Sequence, residues 1–589
     1  MSDHSSPRPG RAVPADGYLD DAAVALLEAD ALGGDAIAAR TLGIAMRDRG
    51  LYEDAERWYR AAARTDGGCA FGLATLLEKS GDLDGAEQWY AVGAALGSLE
   101  CKTNGAMLTA RRGRPQDALR VLREAADEGD DVAANALEHH ADITALLHNV
   151  AEDVTAAAQD EDPEEALDLV ESLTEYTGWF GRFPDLLDEA LALFDRAAAA
   201  GASGALISEA FLLDDLGRWD EARRVLDEGT RRFPGESRLP YVLGLMLREH
   251  ADFTGAETRL REAAEAGRAE AQWSLAVLML KRRRLDEAER LYRAYGEQAG
   301  GLDEPRDFED GLRLVAQYRD EDPASDRSDE AIAALRAAAD AGDSAAAATL
   351  GDVLTDCGAL KPAVLAALLP AAEHAHARPE PDGADVALIE RVGSLCLRTD
   401  DEFGAGKWLR RAARLGHGEA AWWAGNKSDE YGDPHEAERM WAVAAGNGHP
   451  FCGWLAGRAM VRRGAHEEAE PLLRIAFEAR EREPALNEAA YWLGRSMLGR
   501  GRPDEAAEWL RTAVSVHGTV QRGYTGFRRA SLFDPRVDLA EALLELGLDG
   551  EAGPLVEAVL GDAPGHGAAL ALAERLTARR GDGQPAGTP

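Results

Sequence analysis

Lysine, aromatic side chains, pairable cysteine and long apolar runs are scarce or missing in this chain, and each shortage excludes something. Only six lysines occur, so nearly all basic charge is arginine, and 65 Lys and Arg against 106 Asp and Glu leave a net charge of −41. Such a surface repels phosphate backbones, which excludes general nucleic-acid binding and favours encounters with basic partners. The five cysteines are an odd, scattered set with no framework to pair them. Cys69, Cys101 and Cys452 fall early in equivalent segments and read as small buried residues of a reducing compartment, with the cytoplasm as the expected location. No stretch approaches the ~20 apolar residues of a membrane span, and MSDHSSPRPGRAVPADG has no apolar core of a secretory signal. Aromatics make up 6% of a chain with 46% hydrophobic residues, rich in alanine, a profile that suits close-packed helices and an all-α fold.

What is present is repetition. The segment LGIAMRDRGLYEDAERWYRAAARTDG from Leu42 recurs as FGLATLLEKSGDLDGAEQWYAVGAALG, ending at Gly97, with Gly50, Ala55, Trp58 and Tyr59 matched 31 residues on by Gly81, Ala86, Trp89 and Tyr90. The alanine of the EA/DA pair serves as an anchor for the whole chain. It recurs at Ala55, Ala86, Ala118, Ala190, Ala222, Ala256, Ala288, Ala331, Ala363, Ala405, Ala437, Ala469, Ala506 and Ala552, fourteen units spaced mostly 31 to 34 apart. A small residue stands twelve before most anchors (Gly43, Ala74, Gly244, Gly425, Gly457, Gly494), and a glycine five before ends a first helix (Gly50, Gly81, Gly113, Gly217, Gly358, Gly432, Gly464, Gly501, Gly547). Eleven after the anchor, Ala-Ala-x-x-Gly closes a second helix at Gly129, Gly201, Gly267, Gly342, Gly416 and Gly448. The small residues predict close approach of two helices, with Leu or an aromatic four after the anchor filling the seam.

The pattern L-G-x₆-G-x₄-A-x₃-[WYLF]-x₂-A resembles the tetratricopeptide repeat, and the AExWYRxAAxxG variant is similar to the Sel-like repeat, over residues 20 to 575. The resemblance implies an α-solenoid: a right-handed superhelix of about fourteen antiparallel helix hairpins, first helices lining a concave face, with protein or peptide binding as the usual function. The unit length is that of the tetratricopeptide repeat, since the longer loop of the Sel-like pattern is missing.

The phase breaks in four places, which gives the expected organisation. Residues 1–17 are a Ser/Pro/Gly-rich tail expected to be disordered, and 18–129 hold a leading cap helix and the first repeats. Residues 130–184 hold helices without a clean unit and mark a boundary between two solenoid halves; 185–578 form the second half, and 579–589 are a disordered tail. Insertions interrupt the second half at 296–326, 376–384 and 515–535.

No catalytic signature is present. FGAGKWL at Gly404–Lys407 mimics a phosphate loop but has Asp401 where the first glycine belongs and Trp408 after the lysine; a helix start accounts for it. His435-Glu436 and His466-Glu467 each lack a second metal-binding histidine, and no cofactor is implied. The run Lys281-Arg282-Arg283-Arg284 ends a first helix, where the dipole favours cations.

An aromatic series stands three residues before the small residue of its repeat: Phe71, Tyr241, Trp273, Trp422, Trp454 and Tyr491. One turn on from the last three lie Asn426, Arg458 and Arg495, with Arg462 a further turn along. Either this ladder lines a groove that stacks on a peptide and grips a carboxylate, or the aromatics pack between repeats and the arginines pair with Glu419, Glu430 or Glu488. In the last insertion Arg522, Tyr524, Phe527 and Arg528 form a local reversal of charge, which reads either as a docking loop or as a segment folded onto acidic repeats.

These features point to a non-enzymatic scaffold holding a peptide or helix of a partner protein in its concave groove, with no nucleic acid and no membrane as partners. The alternative is a peptide-responsive sensor acting through a change in superhelix shape.

Overall fold

A computed structural model describes residues 21–299, 308–320, 327–430, 433–480, 484–520 and 534–582, and among these every regular element is helical. The 1–17 tail, most of the 515–535 insertion and the end of the C-terminal tail lie outside the described residues. The helices pair into antiparallel hairpins, as in Ala36–Asp48 with Tyr52–Ala62, Arg238–Glu249 with Phe253–Glu265, and Pro450–Arg462 with His466–Glu478. The chain divides into two compact units, one from Asp21 to Gly406 and one from Lys407 onward, and residues 130–184 lie inside the first.

The sequence landmarks act as the helix geometry requires. All the described glycines at the two predicted turn positions have positive φ, for example Gly50 at 67° and Gly129 at 98°. The next residue then often caps the following helix: Asp82 accepts from the Gly85 amide at 2.9 Å, and Asp130 from the Val132 amide at 2.8 Å. The residue twelve before the anchor meets the one four after it. A Cβ on Gly425 would lie 2.5 Å from the Trp441 ring, and one on Gly494 2.5 Å from Leu510. The close helix approach therefore depends on the missing side chain.

Three units without the turn glycine keep the left-handed turn: Ala251 (φ 61°), Arg283 (φ 61°) and Asp400 (φ 58°) each stand five before an anchor. An L side chain there crowds its own carbonyl. Ala251→Gly is therefore expected to stabilise this hairpin by about 0.5–1 kcal/mol, the relief being partly offset by a more flexible unfolded chain. Slower hydrogen exchange across the Arg238–Glu249 and Phe253–Glu265 hairpin is the readout.

Two points of register depart from the sequence reading. Ala331 and Ala363 are only half-buried, and Ile332 and Val364 take the buried place instead. Residues 130–184 also contain a unit that the spacing hides. Ala166 is fully buried, and Glu161, five before it, has φ 55°. The first helix of this unit is Asp131–Gln159, 29 residues long, and its second is Pro163–Glu171.

Cys69, Cys101 and Cys452 are buried, as are Cys357 and Cys396. Burial, reinforced by Asp66, pushes the Cys69 thiol up to about 12, which makes it unreactive. The basic run is consumed internally. Arg282 reaches Asp329 at 2.7 Å, Arg284 pairs with Glu257 and Glu287 at 2.5 Å, and Arg283 lies over the Tyr318 ring at 4.1 Å. The phosphate-loop mimic is a helix start, with the Gly404 amide donating to Asp401 at 2.8 Å.

Candidate partner-binding site

The ladder residues sit on three successive first helices of the second unit, Gly418–Glu430, Pro450–Arg462 and Glu488–Gly499. The structure sorts them into different roles. Tyr491 is 7% exposed, and burial followed by the Asp538 carboxylate raises its phenol. Arg495 donates to the same Asp538 at 2.6 Å. Asp538 belongs to the next hairpin, in the helix Pro535–Glu545, so Tyr491 and Arg495 join neighbouring repeats across the 515–535 insertion. Asn426 is likewise engaged, accepting from the Trp441 indole at 3.0 Å within its own hairpin.

Trp454 and Arg458 are arranged differently. They lie one turn apart on the helix Pro450–Arg462, with the guanidinium 4.6 Å from the Trp454 ring centroid. Trp454 packs against Phe451, its ring tilted by 42° at 5.3 Å, and against the Phe477 and Leu486 cluster. Its buried indole Nε1 has no hydrogen-bond partner among the described residues. Arg458 makes no ion pair or hydrogen bond among them either: Glu419 faces His449 at 3.4 Å and Glu430 takes Lys427 at 2.9 Å. Burial, then repulsion from Arg462, pulls the Arg458 guanidinium below its usual range, while Glu488 and Asp429 oppose this at a distance. Trp422, on the preceding first helix, is 42% exposed. Arg462 is exposed, with its guanidinium 5.4 Å from the Trp492 ring.

The remaining members of the aromatic series are covered by neighbouring elements. Trp273 meets Tyr292 and Tyr295 edge-on at 5.2 and 5.3 Å, and Arg268 covers Tyr241 at 4.9 Å. Arg522, Tyr524, Phe527 and Arg528 lie outside the described residues. Asp538 was invisible to helix spacing, because the insertion separates it from the register of the residues it binds.

The family model for the tetratricopeptide repeat matches residues 207–257, 241–301 and 455–518, the last of these covering Arg458, Tyr491 and Arg495 and beginning just after Trp454. These stretches are tetratricopeptide repeats. No curated protein matches the sequence. Among solved structures, the tetratricopeptide-repeat domain of P58(IPK) is similar at 15% identity and a TM-score of 0.25, over 65% of this chain and 99% of that one. A Sel1 repeat protein from Oxalobacter formigenes is similar at 18% identity and a TM-score of 0.21, over 64% and 90%. Yeast Tom70 is similar at 14% identity and a TM-score of 0.21, over 92% and 99%. Against this tetratricopeptide background the turn glycines and buried anchors are framework, and the half-buried Trp454–Arg458 pair is decoration.

Proposed function

We propose that the protein is a non-enzymatic scaffold that captures a segment of a partner protein across the first helices bearing Trp422, Trp454 and Arg458. The observation that carries this reading is Arg458, a largely desolvated cation over the Trp454 ring with no acceptor among the described residues. A partly desolvated cation has lost part of its hydration, which an incoming carboxylate or carbonyl replaces. Exposed Trp422 supplies apolar contact one repeat away. Tetratricopeptide-repeat folds typically serve protein–protein interaction, and the −41 charge favours a partner that is basic outside this contact.

The test is capture of peptides from a random array by the full chain and by Trp454→Ala/Arg458→Ala. Peptides that bind the parent are expected to lose about 2 kcal/mol, roughly thirtyfold in affinity. The helix content and the melting of the other repeats should stay those of the parent, because the packing of Trp454 against Phe451 and Phe477 is confined to its own and the next hairpin. A double variant that unfolds, or one that binds the array unchanged, overturns the proposal.

A further inference from the structure

The residues around Ala405 depart from the other units at two places, the first of which faces solvent elsewhere. Two before the anchor, other units carry polar side chains such as Glu53, Asp84, Asp220, Asp286, Glu467 and Asp504; here the residue is Phe403. One after the anchor, where Glu56, Glu87, Glu257 and Glu289 stand in their units, the residue is Gly406. Phe403 stands where other units carry polar side chains, and Gly406, like Gly553 after Ala552, leaves a buried place without a side chain. Both find their use in the first repeat. The Phe403 ring lies 4.5 Å from that of Tyr52, tilted by 33°, and packs against the first hydrophobic cluster, which runs from Ala31 to Leu108. Gly406 is buried where a Cβ would stand 3.0 Å from Tyr52 Cε2 and 3.7 Å from the Gly50 carbonyl oxygen. A glutamate there would bring its own bulk and a charge into that contact.

We propose that Tyr52, Phe403 and Gly406 form a clasp that fastens the first hairpin of the unit Asp21–Gly406 to its last. Contacts in a solenoid run between neighbours, so an unclasped array is free to change its pitch by small rotations at every interface. A single aromatic contact joining residues some 350 apart in sequence removes that freedom. A second cross-contact acts in the same sense within this unit: the Leu360 amide donates to the Glu249 carbonyl at 2.8 Å, and Arg248 lies against Gly358. The clasp is small, which makes it suited to opening and closing rather than to holding the fold together.

The experiment uses the full chain with Glu53→Cys and Glu402→Cys, both exposed, carrying spin labels; the native cysteines are buried and do not compete. Electron–electron distance measurements are made in this background, with Phe403→Glu added, and with Tyr52→Ala added. A short, narrow distance distribution is expected in the first case. In the other two a long, broad population should grow several-fold, up to about tenfold, which is the equilibrium shift one aromatic pair can supply. Phe403→Glu is expected to keep the helix content and melting curve of the parent, because an acidic residue stands at this position in other units. A broad distribution in the parent, or one unchanged by both substitutions, overturns the clasp.

Discussion

Gly457→Leu is expected to weaken the Pro450–Arg462 and His466–Glu478 hairpin by roughly 3 kcal/mol, the upper end of what overpacking costs. A Cβ at Gly457 would overlap Cγ of Leu473, lie 2.7 Å from its Cδ2, and approach the Ala469 carbonyl oxygen to 3.3 Å. Leu473 is buried and Ala469 is the anchor of the unit, so neither the side chain nor the backbone can step aside without opening the pair. Because each repeat contacts mainly its neighbours, the loss is local, and a single unfolding midpoint for the whole chain would dilute it. Hydrogen exchange resolves it: amides of these two helices should exchange about a hundredfold faster, while those of Ala36–Asp48 stay unchanged. Uniform acceleration throughout the chain, or none, would show that the seam does not depend on this glycine. Gly457→Ala, with no atoms beyond Cβ, is expected to show a smaller effect of the same sign.

The same reasoning explains why so much of the fold was legible in the sequence. A repeat states its geometry many times over, so the turn glycines, the small seam residues and the anchors reinforce one another across units that individually read weakly. Legibility failed where a unit was spelled differently. Glu161 adopts the left-handed turn that glycine marks elsewhere, and a 29-residue helix precedes it, so the spacing concealed the unit at Ala166. The candidate site was legible only as a stripe. Spacing of four put Trp454 beside Arg458, and the structure shows that contact. The same spacing put Tyr491 beside Arg495, yet both are held by Asp538, a partner no local rule reaches. Periodicity gives which residues share a face; it does not give which of them the next repeat will cover.

Glu209→Gln is expected to stabilise the helix Ala205–Asp215 by an amount that grows with pH. Thirteen before their anchors, other units bury leucine: Leu42, Leu73, Leu243, Leu275, Leu350 and Leu493. The unit at Ala222 places a carboxyl group there, 5% exposed, with Oε2 unpartnered. Burial, then the nearby Asp195 charge, raises its pKa from 4.5 to about 8. The folded state therefore keeps the proton over a range in which the unfolded chain releases it. Below pH 4.5 both states are protonated and the group makes no pH-dependent contribution. As pH rises from there to about 8 the folded state is penalised by about 1.4 kcal/mol per unit, and beyond 8 the penalty is complete. The full difference is on the order of 3–5 kcal/mol. Glutamine has the same shape and no proton to lose, so the opening free energies of parent and variant, from hydrogen exchange in this helix, should lie close at pH 5 and diverge towards pH 8.5. Groups common to both proteins cancel in that difference. Parallel curves would mean that Glu209 reaches water in solution and ionises normally. Glu209→Leu, which restores the residue the other units carry, should add the transfer of a buried apolar side chain on top of the same pH dependence.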